Sequence, residues 1–163
     1  MGGRSFNSLT RKPVWPNCST AVATYATTSH VNLDLYRAIL AEAELRAGNF
    51  EEGAAVLIQG ERSTDEWWRA GYLRVNGDLL LCRPNDDRAA AERAYRQAIS
   101  VAAGQQAKSL ELRAATSLAM LLGEQRRRSE GYAVLAPVYN WFTEGFDTLD
   151  LKEAKTLLNE LHA

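Results

Sequence analysis

Residues 40–57 read LAEAELRAGNFEEGAAVL, and this stretch decides the fold. A helix is predicted first, because apolar residues recur at intervals of three and four along one helix face, namely Leu33, Tyr36, Leu40, Ala43 and Ala47. Gly48-Asn49 ends this helix, since glycine accepts the left-handed backbone that closes a helix. A second helix is predicted from Phe50 to Gly60. Helices joined by so short a break form an antiparallel hairpin.

The same succession of helix and break continues to the end of the chain and predicts seven helices after Val31. The third helix is expected to include Trp67 and Trp68, and the sixth to reach Trp141-Phe142 with a kink at Pro137. The other boundaries are expected at residues that cap or break helices, which are Ser63 or Thr64, Pro84-Asn85, Asp86 or Asp87, Gly104, Gly145, and Asp147 or Thr148. No alternation typical of strands appears, so the fold class is all-α.

Three pairs of residues suggest that the hairpins repeat. A small residue is followed four positions later by a large one in the second helix of each hairpin, as in Gly53…Leu57, Ala91…Tyr95 and Gly131…Leu135. The small residue lets two helix backbones approach, and the large one fills the space one turn later. The corresponding positions of the first helices are Leu40-Ala41, Asn76-Gly77 and Leu118-Ala119. A repeat at the spacing that separates Gly53, Ala91 and Gly131 predicts an α-solenoid.

Leu40-Ala41…Gly48-Asn49-Phe50…Gly53 resembles the tetratricopeptide repeat over its first helix, turn and second-helix start, and Ala91…Tyr95…Ala98 resembles its second helix. The resemblance implies a right-handed superhelix of antiparallel hairpins, with about three degenerate repeats and a C-terminal capping helix. Arg126 stands where that family has a turn glycine, and the spacing here is longer than the family's period of about 34 residues.

Two further stretches are similar to the C-terminal repeat region of large bacterial signalling ATPases. They are AKSLELRAATSLA at 107–119 and LAPVYNWFTEGFDT at 135–148. In that family a cyclase or a winged-helix regulator precedes an ATPase module, and the repeats follow. This chain contains no Gly-x-x-x-x-Gly-Lys-Ser/Thr phosphate-binding loop. The resemblance therefore implies a detached, cytoplasmic regulatory module that is not an enzyme.

Composition narrows the functional classes further. A net charge of −1 argues against a nucleic-acid-binding surface, and no apolar run reaches the length of a membrane span. With two cysteines and two histidines in the chain, we expect no metal and no cofactor. Residues 1–30 carry three basic and no acidic residues, which predicts a loosely ordered tail or, as an alternative, a targeting segment. Residues 31–163 are expected to form the repeat domain.

The candidate site is the concave face, which first helices line in a solenoid. The outward positions expected there mix both charges with a short apolar strip, and they are Leu35, Ala38, Glu42, Leu45, Arg46, Arg74, Asp78, Leu81, Arg113, Thr116, Met120 and Glu124. A protein or peptide partner is expected, with Arg74 and Arg113 at the surface and together holding a carboxylate. The alternatives are a merely solvated face and a structural remnant of a truncated ATPase or cyclase gene, which would self-associate as a homo-oligomer and have no partner of its own.

Other conspicuous residues have simpler interpretations. One tryptophan of Trp67-Trp68 is expected between repeats, and Arg126-Arg127-Arg128 is expected to be a solvated cluster at a turn. Cys82 is interpreted as an inert, small core residue. Three aromatics are expected to pack under the last helix and close the solenoid, namely Trp141, Phe142 and Phe146.

Overall fold

The computed structural model describes residue 24 and residues 33–60, 68–82 and 87–162. This part of the chain contains seven helices and no strand, and it confirms the all-α fold class. The helices are α1 (Leu33–Ala47), α2 (Phe50–Gly60), α3 (Arg69–Cys82), α4 (Arg88–Gly104), α5 (Lys108–Glu124), α6 (Arg128–Tyr139) and α7 (Leu149–His162). The predictions for residues 1–23 and 25–30 of the tail, for the caps at Ser63 or Thr64 and at Asp86, for Trp67 and for Pro84-Asn85 lie outside the described residues.

The helices form three hairpins, α1/α2, α3/α4 and α5/α6, followed by α7. The odd-numbered helices contact one another in succession, so that α1, α3, α5 and α7 form one row. Each even-numbered helix packs against its hairpin partner and against the next odd-numbered helix. This packing is consistent with a helical repeat. Within the described residues, no helix is both long enough and apolar enough to cross a membrane.

The later helices each bury one face. Side chains on α4, α5 and α7 form the core between neighbouring hairpins, and those at most 7% exposed include Ala91, Tyr95, Ala98, Ala102, Ala115, Leu118, Ala119, Leu122, Leu151, Ala154 and Leu161. Leu157 and Leu158 are partly buried against the same core. The small-to-large pattern also holds in space, because a Cβ atom at Gly53 would lie 3.3 Å from the carbonyl oxygen of Ala41.

Three helix ends close in the same way although their sequences differ. After α1, the N–H of Gly48 donates to the Leu45 carbonyl and that of Asn49 to the Glu44 carbonyl. The same two bonds, one spanning three residues and one spanning five, follow α4 at Gln106 and α5 at Arg126. All three residues have positive φ, of 87°, 56° and 63°. This geometry is the Schellman motif, in which glycine is the usual residue.

At the start of α4, one predicted cap is confirmed. The Asp87 side chain accepts the N–H of Ala90 at 2.9 Å, which satisfies one of the free donors of the first turn.

The predicted face of α1 is wrong in part. Ala38 and Leu45, expected to point outward, are buried, whereas Tyr36 and Ala43 are exposed. Apolar residues surround most of this helix, so spacing alone does not select a face. Packing against α3 selects the face of α1 that is buried, and this face includes Ala41.

The predicted ends of α3 and α6 also need correction. The α-helical part of α3 begins at Arg69, just after Trp68. Helix α6 ends at Tyr139, and Asn140 caps it with an N–H that still bonds back over four residues to Ala136, whereas the N–H groups of Trp141 and Phe142 bond back over three. Trp141 and Phe146 are 58% and 47% exposed, so only Phe142 packs against the core as expected.

Candidate functional site

An open groove of about 350 Å³ is formed by all four helices of the odd-numbered row. It brings together six of the eight charged, polar and sulfur-containing residues predicted for the concave face, which are Glu42, Arg46, Arg74, Arg113, Thr116 and Met120. Four lining residues were not predicted, namely Ser117, Leu149, Asp150 and Glu153. The last three belong to the first turns of α7, which continues the row after α5.

At the α1/α3 end of the groove, carboxylates surround Arg74. Its Nη2 donates to Glu42 Oε2 at 2.5 Å and its Nη1 donates to Asp78 Oδ2 at 2.8 Å. Glu42 also accepts a bond of 2.7 Å from Arg46. The Arg74 side chain is only 11% exposed, so the expectation that it lies at the surface is wrong.

Asp78 lies behind Arg74 and does not line the groove. Its second oxygen, Oδ1, accepts the Tyr95 hydroxyl at 2.7 Å. Burial raises the pKa of the Asp78 carboxyl, and the positive charge of Arg74 opposes this shift. Asp78 thus joins the groove to the interface between α3 and α4.

The α5/α7 end of the groove is more open. Arg113 is 44% exposed and donates through Nε to Asp150 Oδ2 at 2.8 Å. The Thr116 hydroxyl donates to the Leu112 carbonyl of its own helix, which occupies its proton. Met120 and Leu149 are 53% and 64% exposed, and they give this end an apolar strip.

Glu124 does not lie in the groove. It is in the last turn of α5 and accepts a hydrogen bond of 2.9 Å from Arg88 at the start of α4. The prediction placed it by its spacing along α5. At the C-terminal end of α5, however, the Glu124 side chain contacts α4 of the neighbouring hairpin and does not face the groove.

The remaining candidates are structural. Arg127 of the arginine cluster joins two helices, with hydrogen bonds of 2.7 Å each to Glu92 and Glu130. Cys82 is exposed, which corrects its assignment to the core, and desolvation raises the pKa of its thiol, which disfavours the reactive thiolate. The described residues contain no group of three or more His, Cys, Asp or Glu side chains placed to hold a metal ion.

The groove combines three arginines with three carboxylates and exposed apolar side chains. Such a surface can bind an extended or helical peptide that offers both charges and an apolar residue. Comparison with protein-family models, with curated proteins and with solved structures finds no match for this chain.

Proposed function

We propose that this chain is a non-catalytic scaffold of the tetratricopeptide type, a right-handed superhelix that binds a segment of a partner protein in its groove. The observation that carries the proposal is the groove itself, to which four successive helices of one row contribute side chains of both charges and two exposed apolar side chains. The resemblance to the repeats of bacterial signalling ATPases favours a regulatory role in the cytoplasm.

Arg113 is the residue that we assign to a carboxylate of the partner. Its Nε is bonded to Asp150, whereas its two terminal nitrogens form no hydrogen bond within the described residues. A guanidinium edge presents two parallel N–H donors that match a carboxylate. Glu153, across the groove on α7, forms no ion pair within the described residues and is available to a basic group.

The apolar part of the partner would lie on Met120 and Leu149. Both side chains are more than half exposed, and both line the groove. Methionine is unbranched and adapts to ligands of different shape. The preferred ligand is therefore a short peptide in which an apolar residue lies between an acidic and a basic one.

The test compares two single substitutions of similar arginines. Arg113→Glu reverses the charge in the groove, and Arg96→Glu does so on α4, where Arg96 is 48% exposed and pairs with one glutamate. Proteins captured from the source cell by the wild type should include one that Arg113→Glu loses and Arg96→Glu keeps. Its affinity should fall about 10- to 100-fold with Arg113→Glu, the effect of one charge-assisted bond. Identical captured sets for all three proteins would reject the groove as the binding site.

Self-association is a second candidate, favoured by one observation. Ile39 on α1 and Ile58 on α2 are 52% and 63% exposed, and large apolar side chains at the surface favour contact with another protein surface. Sedimentation velocity over a wide range of concentration would show a dimer that Ile39→Asp dissociates. A single monomeric species at all concentrations would exclude this function.

A further inference from the structure

Behind the groove, a continuous line of hydrogen bonds connects a buried tyrosine to the surface. Tyr95 is 1% exposed, and its hydroxyl donates to Asp78 Oδ1 at 2.7 Å. Asp78 Oδ2 accepts from Arg74 at 2.8 Å, and Arg74 donates in turn to Glu42 at 2.5 Å. Glu42 then accepts from the exposed Arg46. Each of the two carboxylates therefore accepts hydrogen bonds through both of its oxygens.

The position of Tyr95 depends on the absence of a side chain at Gly77. A Cβ atom at Gly77 would lie only 2.4 Å from Cε1 of the tyrosine ring, well inside van der Waals contact. The ring therefore lies directly against the α3 backbone. Because Asp78 is the next residue on α3, this close approach brings the hydroxyl within reach of the Asp78 carboxylate.

We infer that Tyr95 is a positioning residue that holds Arg74 through Asp78, so that Arg74 is committed to internal carboxylates and the partner's carboxylate is left to Arg113. We call the hold of Tyr95 and Asp78 on Arg74 the lock. The lock is inferred from the geometry of the described residues, and its role in binding rests on the proposed function. It assigns specificity to a residue that does not line the groove. It also separates two arginines that were expected to act together.

The physical reason is the cost of partly desolvating a charge, since the Asp78 side chain is 29% exposed. Asp78 remains a strong partner for Arg74 only while its other oxygen is satisfied, because a desolvated polar atom without a hydrogen bond is costly. Removing the Tyr95 hydroxyl leaves Oδ1 without this donor. The carboxylate then turns towards solvent or takes up a proton, and either change weakens its hold on Arg74.

The test uses phenylglyoxal, a reagent that modifies accessible arginine side chains, and needs no partner protein. The full-length wild type, Tyr95→Phe and Tyr132→Phe are treated in parallel, and modification of each arginine is followed by peptide mass spectrometry. Tyr132 is the matched control, because it is an exposed tyrosine whose ring contacts His162 at the other end of the molecule. Arg74 should react about tenfold faster in Tyr95→Phe, the factor that one charge-assisted bond contributes, and Arg113 should react at the same rate in all three proteins.

An unchanged Arg74 rate in a fully helical Tyr95→Phe protein would overturn the inference. Asp78→Asn is the second variant in case Tyr95→Phe does not fold, since the amide keeps the shape of the carboxylate and removes its charge. It too should expose Arg74, and protection of Arg74 in this variant would also overturn the lock.

A binding measurement separates the lock from the proposed function. The probes are two synthetic peptides of the type Glu-Leu-Leu-Lys and Glu-Glu-Leu-Leu-Lys, with one and two glutamates. The wild type should bind the two about equally, and Tyr95→Phe should prefer the second by about tenfold, because a released Arg74 offers a second charge-assisted bond. If neither peptide binds any protein while Arg74 still becomes reactive, the proposed function fails and the lock remains. If both peptides bind and the preference does not change, the specificity role is wrong.

Discussion

The α-carbon of Gly131 on α6 lies directly against the backbone of Ala119 on α5. A Cβ atom at position 131 would stand 3.0 Å from the Ala119 carbonyl oxygen and 3.4 Å from its Cα atom. Gly53 stands in the same relation to Ala41 two repeats earlier. The two glycines therefore set the distance between the paired helices within the first hairpin and within the third.

Gly131→Ala is expected to destabilise the protein. Overpacking against backbone atoms costs about 1–3 kcal/mol, and the better helix propensity of alanine offsets about 1 kcal/mol of this. Gly104 is the matched control, because nothing lies within 4 Å of its Cβ position. Gly104→Ala should be neutral or stabilise by up to about 1 kcal/mol. Urea unfolding measures both, and equal stability of the two variants would contradict the close packing at Gly131.

Glycine at the left-handed helix ends is expected to stabilise the protein. Gln106 and Arg126 have positive φ and exposed side chains, and this conformation costs a residue with a Cβ atom about 1–2 kcal/mol. Gln106→Gly and Arg126→Gly should each raise the free energy of unfolding by about 0.5–1 kcal/mol, once the larger entropy of unfolded glycine is counted. Gly48→Ala, the reverse change, should lower it. A loss of stability in both glycine variants would show that the side chains contribute more than the backbone strain.

The last helix offers a matched pair of leucines. Leu161 is 7% exposed and packs beside Gly123 and Gly131, whereas Leu149 is largely exposed at the groove. Leu161→Ala should cost about 2–3 kcal/mol, as expected for a buried leucine, and Leu149→Ala less than about 0.5 kcal/mol. Thermal unfolding monitored by circular dichroism gives both values. A large loss with Leu149→Ala would mean that this side chain supports the fold and does not serve the groove alone.

The ion pairs of Glu92 predict a dependence of stability on pH. Hydrogen bonds from Arg127 and Arg96 lower the pKa of Glu92 below its usual value of 4.5. A lowered carboxyl pKa stabilises the folded state above the unfolded pKa, and this contribution is lost as the pH falls through the folded value. Glu92→Gln should therefore be less stable than the wild type at pH 7, by less than about 1 kcal/mol because the site is near the surface.

The gap between the wild type and Glu92→Gln should close as the pH falls below 4.5 towards the folded pKa. Urea unfolding at pH 7 and at a series of acid pH values measures this gap. Glu144→Gln serves as the control, because Glu144 is an exposed loop residue without an ion pair in the described part of the chain. A gap that stays constant with pH would show that the Glu92 charge contributes nothing to stability.

Local signals in the sequence were sufficient for the helices and for the contacts within hairpins. Glycine and aspartate at helix ends act through the backbone of the same segment, which is why Asp87 and Gly48 were identified correctly. Gln106 and Arg126 adopt the same left-handed geometry without that signal. Neither glutamine nor arginine favours this conformation, so the residue types at these two positions did not predict it.

The groove was predicted in part because the positions of α3 and α5 follow from the repeat. The contribution of α7 was missed, since the last helix was expected to cover aromatics and not to continue the row. The pairing of Arg74 with Asp78 and Glu42 was also missed. Glu42 is 32 positions from Arg74 in sequence, and only the packing of α1 on α3 brings the two into contact.

Because its walls come from Glu42 on α1 through Glu153 on α7, the groove is complete only when the whole row of helices is folded. A ligand that contacts all four walls therefore ties together hairpins whose main contacts, within the described residues, are with their neighbours. Such a ligand adds about 2.7 kcal/mol of stability at one hundred times its dissociation constant. That increment applies to the entire stack at once, so occupancy would make the hairpins unfold more cooperatively.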